Sequence, residues 1–189
     1  MVKQMICWKC REKVQLAICV SCGVIQPPIA KADLFQVLTL PRKYFLQRED
    51  IETAHRAIAR QVHPDRFRQR SAVERRMSLQ WTALVNEARR VLLDPILRAR
   101  YLATGQAAPN ERSGTSDPAF LEKIFELQMS MMESPEQSIE QAKSLAAQND
   151  SQLISIFQAW EAGQGDLDGI EELLGRWKYL NNILSKEEK

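Results

Sequence analysis

From Ile51 onward, apolar positions recur at spacings of three and four, the period of an amphipathic helix. Ile51, Ala54, Ile58 and Val62 share one face, and Arg56 and Arg60 project from the opposite one. Met77, Trp81, Leu84, Ala88 and Val91 trace a second stripe, so two antiparallel helices joined by a loop at 63–70 are predicted. Pro64 sets where the first helix stops, because it disfavours helical geometry at His63 and has no amide hydrogen to continue the ladder. Ahead of this hairpin, Asp33-Leu34-Phe35-Gln36-Val37-Leu38 predicts a short helix. Pro41 follows it, and Arg48-Glu49-Asp50 opens the next helix with acids at its positive end. After the hairpin, Asp94-Pro95 breaks the chain, and Ile96 to Leu102 offers a last short turn of helix.

Residues 117–189 read as three more helices. Asp117-Pro118 opens the first, with Phe120, Ile124, Leu127 and Met131 on one face as core. Ser134-Pro135-Glu136-Gln137 opens the second, with an N-cap serine, proline in the first turn and a capping-box glutamine. This helix is expected to break near Asn149-Asp150 and resume through Leu153, Ile156, Phe157 and Trp160. Gly163 and Gly165 close it, and Asp166 caps the last helix. There, Ile170, Leu174, Trp177 and Leu184 form the inner side. Two further stripes stand apart from the core: Leu121, Phe125 and Met132 on the first helix, and Tyr179 and Ile183 on the last. A second apolar face on a bundle helix is a candidate protein-binding patch, against the plainer reading that it widens the core.

Strand signals are almost absent after residue 30, so the expected fold is mainly α, with a small metal-bound β hairpin at the N-terminus. The expected division is a tetracysteine domain at 1–28, a helical domain at 29–103, a connection at 104–118 and a three-helix bundle at 119–189. Pro27-Pro28 marks the first boundary, and Gly105, Pro109, Ser113 and Gly114 mark the third segment as a connection. A composition 44% apolar and 26% charged excludes extensive disorder. No apolar run reaches the length needed to cross a bilayer and the start lacks a secretory h-region, so no membrane partner and a cytoplasmic location are expected. The net charge of +2 conceals an asymmetry: residues 1–116 hold 20 basic and 10 acidic side chains, residues 117–189 hold 6 and 14. The two halves are expected to meet different partners.

Cys7, Cys10, Cys19 and Cys22 are the only cysteines, in two Cys-x2-Cys pairs eight residues apart. In each pair a tight turn lets both sulfurs face one ion while backbone amides donate to them. Gly23 suits the strained position after the second pair, whereas Arg11 occupies the equivalent position after the first. Structural zinc is the expected occupant, because a closed four-thiolate shell suits an ion without redox chemistry. Two disulfides would need an oxidising compartment, a dithiol redox centre would need only one pair, and a rubredoxin-like iron site is the remaining alternative. A core of this size cannot fold alone, so the metal supplies the folding energy of the segment. Trp8 and Ile6 or Ile25 are placed to cover the site or pack on the helical domain, with core packing expected for Trp8.

His63-Pro64-Asp65 therefore sits at the tip of a hairpin whose surroundings are strongly basic. Seven arginines (Arg56, Arg60, Arg66, Arg68, Arg70, Arg75 and Arg76) lie between His55 and Arg76 against only Asp65 and Glu74. Such a cluster is often just a solvated face, and Pro and Asp are ordinary turn residues. Nucleic-acid binding is the rival functional reading, since arginines bind phosphates and four-cysteine fingers often accompany them. Against it stand the nearly balanced overall charge and the single aromatic, Phe67, among the arginines, so no nucleic-acid partner is expected. No Gly-x4-Gly-Lys loop occurs, so the chain is not expected to hydrolyse ATP or to be an enzyme.

A basic helix, His-Pro-Asp and a second helix resemble a J-domain, the module that stimulates ATP hydrolysis by DnaK-type chaperones. The resemblance narrows on Asp33-Leu34-Phe35, His63-Pro64-Asp65-Arg66-Phe67, Val85-Asn86-Glu87-Ala88-Arg89-Arg90-Val91-Leu92, Arg98-Ala99-Arg100-Tyr101-Leu102 and Ala119-Phe120-Leu121-Glu122. These are similar to the HscB family of iron-sulfur co-chaperones. Cys7-Trp8-Lys9-Cys10 and Cys19-Val20-Ser21-Cys22 are similar to the N-terminal zinc domain of its eukaryotic and some bacterial members. The resemblance implies an L-shaped co-chaperone that delivers an IscU-type iron-sulfur scaffold to a DnaK/HscA-type chaperone and stimulates its ATPase. On that reading His63, Pro64, Asp65, Arg56, Arg60 and Arg66 meet the chaperone. Leu121, Phe125, Glu126 and Tyr179 meet the scaffold. Leu34 and Met129 depart from the family, which often has an aromatic at the first position and an acid at the second. The N-terminal domain is a candidate for self-association.

Overall fold

The computed structural model describes residues 5–14, 17–29, 32–108 and 117–185; Pro109, Ser113 and Gly114 of the expected connection lie outside them. The chain divides into two compact units, Met1–Pro95 and Ile96–Lys189. In the first, β1 (Met5–Ile6) and β2 (Lys13–Val14) pair antiparallel, Met5 opposite Val14 and Ile6 opposite Lys13. An isolated bridge joins Ile18 to Ile25. Helices α1 (Leu34–Val37), α2 (Arg48–Val62) and α3 (Ala72–Leu93) follow. Asp33 caps α1 by accepting from the Phe35 amide, and Glu49 and Asp50 occupy the first turn of α2. Ser71 and Glu74 form a reciprocal capping box that fixes where α3 begins.

Ile51, Ile58 and Val62 bury the inner face of α2. On α3 the buried line runs through Glu74, Ser78, Trp81, Val85, Ala88 and Leu92, a strict four-three alternation. Met77 and Leu84, expected in this stripe, are only half-buried. Two core positions carry polar residues that hydropathy overlooks, and each has a partner: Glu74 in the cap, and Ser78 through its hydroxyl, which donates to the Val62 carbonyl at 2.6 Å. Glu52 and Arg89 clamp α2 to α3 through a bidentate pair, Nε to Oε2 at 2.9 Å and Nη2 to Oε1 at 2.5 Å. His55 and Asn86 add a second link at 3.1 Å.

In the second unit, α4 (Pro95–Thr104) reaches beyond the short turn anticipated for it and buries Arg98, Ala99, Arg100, Tyr101 and Leu102. Then come α5 (Pro118–Ser130), α6 (Pro135–Glu161) and α7 (Ile170–Leu184). Phe120, Ile124, Leu127, Ala142, Leu180 and Ile183 form one buried cluster, with Met131, Leu145, Ala146 and Leu184 packed against it. Arg100 pairs with Glu171 at 3.1 Å and Arg176 with Asp117 at 2.7 Å, tying α4 and the start of α5 to α7.

Four expectations are corrected here. Helix α6 is continuous, because Asn149 is buried within it and donates its side-chain amide to the Leu173 carbonyl of α7 at 3.1 Å. Ser134 makes no side-chain capping bond; instead Ser138 bonds the Ser134 carbonyl and the Ser130 hydroxyl. Asp166 accepts from the Asp168 amide and closes a turn in the preceding loop, so the N-cap of α7 is Gly169, whose φ of 83° suits glycine. Ile183 is core, only 2% exposed. Helix α7 packs on both α5 and α6, so its buried arc is wide enough to take in Ile183 as well as Leu180.

Candidate functional site

The four cysteines converge. Their sulfurs all lie within 4.8 Å of one another, with Cys7 to Cys22 and Cys10 to Cys19 each at 3.6 Å. A tetrahedral site with metal–sulfur bonds of 2.3 Å has sulfur–sulfur edges of about 3.8 Å, so the set fits a zinc-sized ion. The two halves repeat one local design. Cys7 N donates to Glu12 O and Arg11 N to Cys7 O; Cys19 N donates to Val24 O and Gly23 N to Cys19 O. Arg11 and Gly23 adopt nearly the same left-handed backbone, φ 66° and 68°, so arginine bears at the first knuckle a strain that glycine avoids at the second.

Burial pushes the Cys7 thiol up, but the amides of Cys10 and Lys9 and the neighbouring thiols outweigh it and bring it down to about 6. Cys19 is also lowered, chiefly by the Cys22 amide. For Cys10, the backbone bond at Glu12 acts to lower it, but burial and the surrounding thiols push it up to about 12. Thiols crowded together without a cation titrate apart in this way, and a bound dication would favour all four thiolates.

Gln26 links this lobe to α3. Buried, it donates Nε2 to the Cys7 sulfur at 3.3 Å and to Val24 O at 2.9 Å, and its Oε1 accepts from the Trp8 amide at 3.2 Å. Its backbone carbonyl accepts the Trp81 indole N–H at 2.7 Å. Trp8, expected in the core, is instead 41% exposed, because its indole N–H turns to the Ile25 carbonyl at 2.8 Å. Ile25 is fully buried, whereas Ile6 is exposed.

The loop after α2 is built as a short 3-10 turn, Pro64–Phe67. His63 leaves the helix with φ −56° and ψ 133°, the extended geometry that a following proline favours, and its Nδ1 accepts from the Asp65 amide at 3.3 Å. His63 and Asp65 are exposed, while Phe67 is buried beneath them as the anchor of the turn. The Asp65 carboxylate is held by Arg68 at 3.0 Å. Arg56, Arg60 and Arg66 are exposed; Arg66 donates to the Arg60 carbonyl at 3.2 Å, and Arg56 to the Thr53 hydroxyl at 3.2 Å. The tip thus presents an imidazole and a carboxylate on a base fixed by Phe67 and Ser78.

On α5, Phe125 is 64% exposed, Met129 and Met132 are exposed, and Leu121 is half-buried. Leu121, Phe125 and Met129 follow one another at intervals of four and so share a face. Glu126 is turned away from it and lines a cleft of about 500 Å³ with Lys123, Leu127, Ser130, Gln141, Ser144 and Leu145. Tyr179, on α7, is exposed.

A four-cysteine lobe seated on a clamped helical hairpin with a His-Pro-Asp tip, followed by a bundle with an exposed apolar face, defines the class: a J-domain-like helical protein with a second helical unit. A family model described as the HSCB C-terminal oligomerisation domain matches residues 116–186. The chain is 45% identical over 95 residues to a co-chaperone protein HscB homolog of Bordetella petrii, covering 49% of this chain and 56% of that protein. It is 28% identical over 189 residues to the mouse iron-sulfur cluster co-chaperone protein HscB, covering 95% and 80%. The crystal structure of human co-chaperone protein HscB superposes with a TM-score of 0.75 at 26% identity over 97% of each chain. The chain matches only 56–60% of the length of the Bordetella relatives. Each of these similarities is to HscB co-chaperones.

Proposed function

We propose that this protein is a co-chaperone of iron-sulfur cluster assembly that brings an IscU-type scaffold to a DnaK/HscA-type chaperone and stimulates the chaperone's ATPase, with no catalysis of its own. The observation that carries this reading is the exposed His63-Pro64-Asp65 tip on a hairpin held rigid from behind. His63 and Pro64 make close contacts, and Arg56, Arg60 and Arg66 meet an acidic surface. Asp65 exchanges its bond to Arg68 for an arginine of the chaperone. Stimulation follows if the tip binds the hydrolysis-competent conformation of the chaperone more tightly than the other, since only differential affinity shifts such an equilibrium.

Leu121 and Phe125 supply the apolar centre of the scaffold contact and Tyr179 joins it, while Glu126 meets the scaffold from the adjoining cleft. Zinc, held by Cys7, Cys10, Cys19 and Cys22, supplies folding energy to the N-terminal domain. Four thiols gathered around one ion suit a reducing compartment, and the cytoplasm is the proposed location. We assign residues 1–28 to the metal domain, 29–103 to the chaperone-binding domain and 119–189 to the scaffold-binding bundle.

Two variants test the two ends. His63→Gln abolishes stimulation while the thermal melt stays that of the wild type; unchanged stimulation refutes the docking role. Leu121→Ala with Phe125→Ala weakens scaffold binding and leaves scaffold-free stimulation intact; normal scaffold affinity refutes the assignment.

A further inference from the structure

The second metal knuckle lies against the docking loop. Ile18 and Gly23 on the lobe, Gln61 at the end of α2, and Arg66, Phe67 and Arg70 on the loop enclose a cleft of about 270 Å³. This is small for a cofactor site, which ordinarily runs to about 300–1,000 Å³, and suits one inserted side chain. Among the described residues the charged groups lining it are the two guanidinium groups, beside the buried Phe67. Among the described residues neither Arg66 nor Arg70 forms a salt bridge with a carboxylate. Of the nearby acids, Asp65 is held by Arg68 and Glu74 by the Ser71 amide and hydroxyl at 3.1 and 2.8 Å, with Arg70 acting on Glu74 only through space.

The cleft is also preformed. Gln26 joins the Cys7 sulfur to the Trp81 indole, and Ser78, three residues before Trp81 on α3, holds the Val62 carbonyl just ahead of His63. Buried hydrogen bonds therefore set the position of the lobe relative to the loop. We propose that the chaperone-docking surface extends from the His63-Pro64-Asp65 tip onto the metal lobe, and that this cleft receives an acidic side chain of the chaperone. The inference rests on the co-chaperone reading above and adds a partner contact to it. An acid entering between two guanidinium groups on an apolar floor makes charge-assisted hydrogen bonds in partly desolvated surroundings. It anchors the complex without touching the stimulatory tip, so its removal should act on affinity and spare the maximal rate.

The test is a titration of a DnaK-type chaperone's steady-state ATPase with wild-type protein, Arg70→Ala, Arg70→Glu, Ile18→Glu and His63→Gln, with bound metal and helicity measured for each. Expected is a rise in the half-maximal concentration of about fivefold for Arg70→Ala and more for Arg70→Glu and Ile18→Glu, at an unchanged plateau. The Arg70→Ala shift should narrow as salt is raised. His63→Gln should instead lose the plateau. Should Ile18→Glu release metal, the Arg70 pair decides. If the Arg70 variants titrate like wild type while His63→Gln still loses stimulation, the cleft contact is overturned and the co-chaperone reading stands. If His63→Gln also behaves as wild type, that underlying reading has failed. An RNA oligonucleotide bound by wild type and lost in Arg70→Glu, with stimulation unmoved, would assign the cleft to nucleic acid and overturn the proposal.

Discussion

Two phenylalanines five residues apart on α5 separate folding from binding. Phe120 is 8% exposed, packs with Ile124, Leu127, Ala142, Leu180 and Ile183, and lies 5.3 Å below the Arg176 guanidinium. Truncation to alanine removes that contact and leaves a cavity between three helices, a change that costs about 3–5 kcal/mol in well-packed cores. At about 4–8 °C per kcal/mol for a unit of this size, Phe120→Ala should lower the midpoint of its thermal transition by at least about 12 °C. Phe125 is 64% exposed on the other face, where substitution ordinarily changes stability by about 0.5 kcal/mol or less. The assay is a thermal melt by far-UV circular dichroism beside calorimetric titration with an IscU-type scaffold. Phe125→Ala should melt within about 4 °C of wild type and bind at least tenfold more weakly, a loss of about 1.4 kcal/mol. A Phe125→Ala protein that melts as early as Phe120→Ala, or that binds normally, would refute the division of this helix into a core face and a partner face.

Ser71→Ala removes the hydroxyl that caps α3 and partners Glu74, and should cost about 1 kcal/mol, read as an earlier chemical-denaturation midpoint; no change would mean that the box is not held in solution. Glu52 is held below the usual carboxylate range, chiefly by its hydrogen bonds from Arg89. The stabilisation from a depressed carboxyl is present above its unfolded value of about 4.3 and is lost as pH falls through the folded value. Glu52→Gln should therefore lower the melting temperature at pH 7 by more than it does in acid, the deficit shrinking as pH falls below about 4; an equal deficit at both ends would assign the loss to packing. Stripping metal with a chelator should unfold the N-terminal lobe and alter tryptophan emission through the loss of the Trp81 bond to Gln26, while helix content persists. Collapse of the helical signal would show that the metal supports far more than its own domain.

Several helix boundaries were legible from one or two residues, though not those assigned to Ser134 and Asp166. Pro64 ends α2, Asp33 and Asp117 cap α1 and α5, and Asp94-Pro95 separates α3 from α4. Cysteine spacing likewise sufficed for the four-sulfur cluster. What stayed hidden was polar residues placed inside. Asn149 read locally as a breaker and Ser78 falls outside the hydropathy stripe, yet each is satisfied by a carbonyl from another helix, 24 and 16 residues away in the chain. Gln26 carries no pattern at all, because its importance lies in Cys7 and Trp81 meeting across it. Ile183 was misjudged for a related reason, since a helix angle computed alone takes no account of a second neighbour that widens the buried arc. Of the exposed stripe, Phe125 and Tyr179 could be read from angle, and so could Leu121 in part, because departure from the core face is a property of a single helix.

The most direct measurement is the steady-state ATPase rate of a DnaK-type chaperone with this protein added, alone and together with an IscU-type scaffold. The account predicts saturable stimulation by the wild-type protein that grows further when scaffold is present. A chaperone rate that stays at its basal value under both conditions would contradict it.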